Sequence, residues 1–188
     1  EISHVADSSI QTSVMNEQKL QDVKSSKINA NENQIVLFVD DKLSGGPEAY
    51  VIEIETQRIT IVASSEAGVF RGIQTLKQLL PLAENNKQIA FNTGVIKDAP
   101  RFKHRGFMLD VARHFYTVSE VKQIIDYLAE YKYNVFHFHL TDDQGWRINI
   151  PSWPKLTEIG SNAAVGQKSC ENCFYSLDEY QEIVQYAD

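Results

Sequence analysis

The spacing of hydrophobic and polar positions changes character twice along this chain. Residues 1–33 are polar, rich in Ser, Asn, Gln and Lys, with a weak helical spacing only around Val14 to Val23. Gln34 to Asp40 is then a β-rich apolar run, bounded by Asp41 and by the turn residues Gly45-Gly46-Pro47. From Ala49 to Thr56, Tyr50, Ile52 and Ile54 alternate with Val51, Glu53 and Glu55, the period of a half-buried strand. Arg58 to Ala63 reads as another strand, and the two-residue link with Gln57 near its centre makes the pair a hairpin, so an antiparallel start is expected.

The period then becomes helical. Val69, Ile73, Leu76 and Leu80 share one face, Ser65 stands at the N-cap position, Glu66 favours the first turn and Pro81 closes the segment. Gln88–Asn92 and Gly94–Lys97 read as two more short strands. Asp98-Ala99-Pro100 breaks the pattern and sets a domain boundary: 1–100 as a small domain, 101–188 as a second one.

Beyond Pro100 the rhythm is strand, helix, strand, helix. Gly106–Val111 and Asn134–Leu140 read as buried strands. Thr117-Val-Ser-Glu120 is a capping box before a stripe of Val121, Ile124, Ile125, Leu128 and Tyr131, and Ser176-Leu-Asp-Glu179 caps a last helix with Tyr180, Ile183, Val184 and Ala187. Between them runs a long loop of Gly, Trp, Pro and Ser. Strands followed by amphipathic helices imply parallel pairing.

Composition narrows the possibilities. Charged residues make up 23% and hydrophobic residues 43% of 188, the balance of a folded soluble domain. The net charge of -7 is evenly spread, with 9 basic and 13 acidic residues in 1–100 and 9 and 12 in 101–188. No basic face is available for phosphates, which argues against nucleic-acid binding. The apolar runs are far too short to span a bilayer. No signal-peptide pattern opens the chain, which starts at Glu1 rather than at a methionine, as expected of a processed chain or one whose start has been removed.

Chemistry in parallel α/β sheets gathers at the carboxyl ends of strands. The first strand exits through Asp110-Val-Ala-Arg113-His114-Phe115, and the second through His139-Leu-Thr-Asp142-Asp143-Gln144-Gly145-Trp146-Arg147. Each residue has a plain reading: Asp110 a cap or partner for Arg113, Asp142-Asp143 a turn, His137 and His139 satisfied core histidines, Trp146 and Trp153 packing. Against these stands a joint reading, in which Arg113 and Asp142 line one pocket for a polyhydroxylated ligand. A guanidinium fork suits vicinal hydroxyls, and carboxylates accept from sugar OH groups.

Two long stretches, Arg105-Gly-Phe-Met-Leu-Asp-Val-Ala-Arg-His-Phe115 and Tyr131-Lys-Tyr-Asn-Val-Phe-His-Phe-His-Leu-Thr-Asp-Asp-Gln-Gly-Trp-Arg147, closely resemble family 20 glycoside hydrolases, the β-N-acetylhexosaminidases and chitobiases. Pro154–Gly160 and Phe174–Tyr180 continue the likeness, and Ala67–Leu80 is similar to the helix of the small domain that precedes the barrel in that family. The resemblance implies an α+β small domain, an antiparallel sheet with helices on one face, followed by the first two β/α units of a (β/α)8 barrel. A complete barrel needs about 250 residues.

The resemblance further implies hydrolysis of terminal N-acetylhexosamine from chitin oligosaccharides or glycans, with retention and with the substrate's own 2-acetamido group as nucleophile. By position, Arg113 is similar to the arginine that holds the outer sugar hydroxyls. Asp142 is similar to the carboxylate that supports the general acid through a histidine, with Asp110, His139 and Asp143 as supporting residues. No metal or cofactor is implied. The family's adjacent Asp-Glu catalytic pair follows its fourth barrel strand, whereas Asp178-Glu179 here sits in a capping box. The 188 residues alone are therefore expected to be inactive, with the pair beyond residue 188. The alternative is a non-catalytic sugar-binding or assembly module.

Cys170-Glu-Asn-Cys173 lies in a loop, not at the strand-to-helix junction of a redox motif, and lacks the further ligands of a zinc site. A local disulfide in an exported protein, periplasmic or extracellular, is the favoured reading. An incomplete barrel would leave strand edges and helix faces uncovered, so self-association or partner chains are expected.

Overall fold

The computed structural model describes residues 12–15 (backbone only), 33–80, 89–162 and 170–188. They fall into two compact units, Glu1–Lys103 and His104–Asp188.

The first unit holds a five-stranded sheet of β1 (Thr12–Met15), β2 (Gln34–Val39), β3 (Tyr50–Ile54), β4 (Arg58–Ala63) and β5 (Gly94–Asp98), in the order β1-β2-β4-β3-β5. The β3–β4 hairpin forms as its alternation demands, with Glu55 N–H donating to the Arg58 carbonyl at 2.8 Å. The sheet is nevertheless mixed, which corrects the expectation of an antiparallel one. The returning strand β4 seats between β3 and β2 and runs parallel to β2, and β1 adds parallel to the other edge of β2. β4 can take the centre because Ile59, Ile61 and Ala63 are all buried, and Val36, Leu37 and Phe38 are buried in succession on β2, as in strands covered on both faces.

Two further expectations change. Val14 belongs to β1, where pairing with β2 outweighs a weak helical spacing; the rest of the Val14–Val23 pattern lies outside the described residues. Ile89–Asn92 is irregular, because the five residues of β3 are already paired by Gly94–Asp98 and leave it no partner. Gln88 lies outside the described residues.

Helix α1 (Glu66–Gln78) lies over β4, β3 and β2. Its approach is close because two small residues face the sheet. A Cβ on Gly68 would stand 2.6 Å from the Ala49 carbonyl oxygen, and one on Gly72 2.6 Å from Ile61 Cγ2. Val69 and Leu76 are buried and Ile73 packs at the edge of the same core. Ser65 does occupy the N-cap, but its hydroxyl donates to the Pro47 carbonyl at 2.5 Å instead of accepting from the first turn. The closing role expected of Pro81 falls outside the described residues. Tyr50 ties helix and sheet together, its hydroxyl donating to Asp98 at 2.7 Å and lying 2.6 Å from Thr75 Oγ1.

In the second unit β6 (Gly106–Asp110), α2 (Val118–Glu130) and β7 (Val135–His139) form a parallel strand–helix–strand, registered from Gly106↔Val135 to Asp110↔His139. Both expected capping boxes are present, Thr117 with Glu120 on α2 and Ser176 with Glu179 on α4 (Leu177–Ala187). The core gathers Leu109, Val111, Val121, Ile125, Tyr175 and Ile183, with Phe136 and Phe138 against it. β6 and β7 are half-buried rather than buried: helices cover one face of this two-stranded sheet, while Met108, at 53% exposure, and its register partner His137 lie open on the other. The sheet is open and closes no barrel.

The segment read as one long loop contains structure of its own. A small hairpin, β8 (Thr141–Asp142) with β9 (Gly145–Trp146), turns through Asp143-Gln144, and a short helix α3 (Lys155–Gly160) follows. Neither carries enough periodic residues to be visible in the hydrophobic pattern.

Candidate functional site

The two strand exits meet. Asp110 ends β6, and its Oδ1 accepts from the backbone N–H groups of Ala112 at 3.0 Å and Arg113 at 3.1 Å, the local turn that a short acidic side chain favours. That turn aims Arg113 at the end of β7. Its Nη1 donates to Asp110 Oδ2 at 2.8 Å and forms an ion pair with Asp142 Oδ2 at 2.7 Å, and its Nε donates to Gln144 Oε1 at 2.8 Å. Nη2 makes no hydrogen bond with a described residue, and the side chain is 42% exposed.

Strand parity places His139 beside this pair. His137 and His139 do share a face, their rings 5.9 Å apart. His139 Nε2 lies 2.9 Å from Asp142 Oδ2; since a carboxylate only accepts, Nε2 carries the hydrogen of that bond. The Asp143 backbone N–H donates to Asp142 Oδ1 at 2.8 Å, so Asp143 enters the cluster through its main chain. His137 is exposed, which removes the core-histidine reading for it.

These contacts set the charges. Donation by His139, then by the Asp143 amide, with Arg113 adding to both, holds the Asp142 carboxyl down to about 2. Desolvation works against ionisation of Asp110, but the amide and guanidinium of Arg113 outweigh it and keep the carboxyl below its ordinary range. Asp110 in turn raises Arg113 above its own. The result is an ionised, pre-oriented acceptor pair around one half-exposed cation, whose Nη2 has no hydrogen-bond partner among the described residues. Such a group can donate to neighbouring hydroxyls without first rearranging. Among the described residues no group of three or more His, Cys, Asp and Glu is placed to hold a metal ion.

All five residues singled out in the sequence therefore lie in one cluster. Two others were missed. Gln144 orients Arg113 from the hairpin turn, and nothing in its spacing marks it. Arg147 is fully buried, its guanidinium donating to the carbonyls of Val111, Ala112, Ser161 and Cys173. Burial lowers its pKa from the ordinary value, yet an arginine stays charged in such surroundings. Trp146 packs over Gly160 and donates from Nε1 to the Ile148 carbonyl, whereas Trp153 is exposed. Cys170 and Cys173 are joined as a disulfide, their Cα atoms 5.6 Å apart.

Known proteins share the sequence and fold of this chain. Residues 102–188 match the family described as glycosyl hydrolase family 20, catalytic domain, and residues 6–99 match glycosyl hydrolase family 20, domain 2. A β-hexosaminidase of Porphyromonas gingivalis is 42% identical over 160 residues, covering 82% of this chain and 21% of that protein. The N,N'-diacetylchitobiase of Vibrio harveyi is 38% identical over 157 residues, covering 74% and 17%. Among solved structures, the β-N-acetylhexosaminidase of Streptomyces coelicolor A3(2) superposes with a TM-score of 0.75 at 41% identity, over 82% of this chain and 32% of that one. The exo β-N-acetylglucosaminidase of Vibrio harveyi, solved with N-acetylglucosamine, gives 0.78 at 32% identity, over 97% and 31%. The chain thus spans about a fifth to a third of the length of these relatives.

Proposed function

The chain belongs to glycosyl hydrolase family 20, and from that premise we propose that it is part of a β-N-acetylhexosaminidase, in which it supplies one wall of the pocket for a terminal N-acetylhexosamine. In this reading residues 1–100 are the small domain and residues 101–188 the first two β/α units of the catalytic (β/α)8 barrel. The observation that carries it is the convergence of Arg113, Asp142 and His139 at the carboxyl ends of two adjacent parallel strands, where such sheets hold their ligands.

Arg113 binds the outer hydroxyls of the sugar through its open Nη2 edge, and Asp110 and Gln144 hold it in place. Asp142, kept ionised, supports the general acid through a histidine, and Asp143 fixes the carboxylate by its amide. The reaction is retaining hydrolysis in which the acetamido carbonyl attacks the anomeric carbon and the glycosidic oxygen leaves with a proton from the general acid. That acid and the acidic residue orienting the acetamide come from outside residues 1–188, since the Asp178-Glu179 pair is consumed in the start of α4, where Glu179 Oε2 accepts from the Ser176 amide at 2.8 Å. The 188-residue chain is accordingly inactive on its own. The disulfide supports export to the periplasm or beyond, and the open face of β6 and β7 supports self-association.

The test is hydrolysis of an aryl N-acetylglucosaminide. A longer chain carrying the Asp-Glu pair is expected to release the chromophore and residues 1–188 are not. Release by residues 1–188 overturns the placement of the acid. A reading frame that stops at Asp188 makes the chain a binding or assembly module.

A further inference from the structure

Arg147 is a charged side chain with 0% exposure in a unit of modest size. Desolvating a guanidinium costs several kcal/mol, and well-packed apolar residues often stabilise such a site at least as well. Its bonds, however, are distributed in a particular way. Nε donates to the Val111 carbonyl at 2.9 Å and Nη2 to the Ala112 carbonyl at 2.8 Å, the two residues directly before Arg113. Nη1 donates to the carbonyls of Ser161, at 2.9 Å, and Cys173, at 3.1 Å, at the end of α3 and in the disulfide loop.

The turn into Arg113 is thus held from two sides. Asp110 takes the N–H groups of Ala112 and Arg113, and Arg147 takes the C=O groups of Val111 and Ala112. The hairpin carrying Arg147 also carries Asp142 and Gln144, the two partners that Arg113 reaches across the strand exits. Gly145 permits the arrangement, since a Cβ there would stand 2.5 Å from the Ala112 carbonyl oxygen and 2.6 Å from Arg147 Cζ.

We propose that Arg147 is a positioning residue for Arg113: its planar fork locks the Val111–Ala112 backbone to the hairpin, so that Arg113, Asp142 and Gln144 keep one fixed mutual geometry. A lysine carries the same charge but lacks the in-plane pair of donors that two successive carbonyls require. The consequence for sugar binding rests on the reading of Arg113 given above; the positioning itself does not.

The test uses the 188-residue chain labelled with nitrogen-15, following the Arg113 Nε–H resonance, assigned by its loss in R113K. In the wild type the bond to Gln144 Oε1 protects this hydrogen from exchange. In R147K and R147M its exchange is expected to quicken by about tenfold or more, the loss of one charge-assisted hydrogen bond, while the backbone amides of α2 and α4 keep their positions. Unchanged Arg113 exchange in either folded variant overturns the proposal, and if R147M does not fold, R147K decides. Wild-type protection restored by R147K also overturns it, since charge alone would then suffice. Binding of N-acetylglucosamine to a longer chain carrying the Asp-Glu pair separates the two readings: an affinity unchanged by R113M removes the pocket assignment and leaves the positioning result standing.

Discussion

Oδ2 of Asp142 meets two groups from different elements, an ion pair with Arg113 Nη1 at 2.7 Å from the loop after β6 and a hydrogen bond from His139 Nε2 at 2.9 Å from the end of β7. One carboxylate oxygen therefore joins both strand exits, and only the ionised form can do so. Protonation would remove the charge that Arg113 pairs with and put a hydrogen where His139 already donates.

Acid sensitivity follows with a definite sign. The Asp142 carboxyl is held down from its ordinary 3.8 to about 2, by His139 first and the Asp143 amide next. A carboxyl whose folded pKa is depressed contributes stability above its unfolded value, and that contribution is lost as pH falls through the folded one. Urea midpoints of the wild type are expected to fall relative to those of D142N as pH drops from about 4 to about 2. Parallel curves across that window would show that the cluster does not bind the proton-free form.

Replacement of Arg113 separates charge from fork geometry. The side chain is 42% exposed and outside the core, so R113K and R113M should both fold, with R113M at a slightly lower thermal midpoint because Asp110 and Asp142 lose their cation. Binding of N-acetylglucosamine by a longer chain carrying the Asp-Glu pair is expected to weaken by about tenfold or more in both, because a point charge cannot span neighbouring hydroxyls and a thioether donates to none. Wild-type affinity in R113M would end the assignment of Arg113 to the sugar.

In the first unit the close seat of α1 makes a prediction opposite to helix propensity. Gly72→Ala should gain about 1 kcal/mol from propensity in an open helix, but its Cβ would meet Ile61 Cγ2 at 2.6 Å, with Tyr50 behind it. The expected outcome is a net loss of about 1–3 kcal/mol in urea unfolding, the usual cost of overpacking. Gly94→Ala, whose Cβ meets nothing within 4 Å, should be within about 0.5 kcal/mol of the wild type. A stabilised Gly72→Ala would mean that the helix can lift from the sheet at little cost.

Much of this was legible from sequence where the signal was local. The β3–β4 alternation, both capping boxes and the shared face of His137 and His139 depend on residues a few positions apart. The exits of the two strands were each marked by their own residues, and the strand–helix–strand rhythm put Arg113 and Asp142 in one pocket; His139 joined them only through the family resemblance. What failed was set by pairing between distant segments. Nothing in the run from Gln34 to Val39 says that β4 rather than β3 will lie beside it, and nothing in Ile89–Asn92 reveals that β3 is already fully paired. Arg147 was missed for a related reason. A buried cation satisfied by carbonyls leaves no pattern of partner side chains, since its acceptors are backbone atoms of residues whose identities are free to vary.

The Cys170–Cys173 bond closes a loop of sequence separation 3, and for so short a loop the chain-entropy argument allows only about 2 kcal/mol. Both cysteines are 8% exposed, and the Cys173 carbonyl accepts from Arg147 Nη1 at 3.1 Å. Two effects of reduction can therefore be told apart. The entropic loss should appear as a lower urea midpoint, about 2 kcal/mol for the C170S/C173S double variant. The loss of a fixed carbonyl should appear as faster exchange at the Arg147 guanidinium, with the amides of β6 and β7 unaffected because their ladder from Gly106↔Val135 to Asp110↔His139 does not involve the loop. Thiol counting checks the premise: no free thiol is expected before reduction and two after it. Two free thiols in the untreated protein would remove both the staple and the argument for export that rests on it.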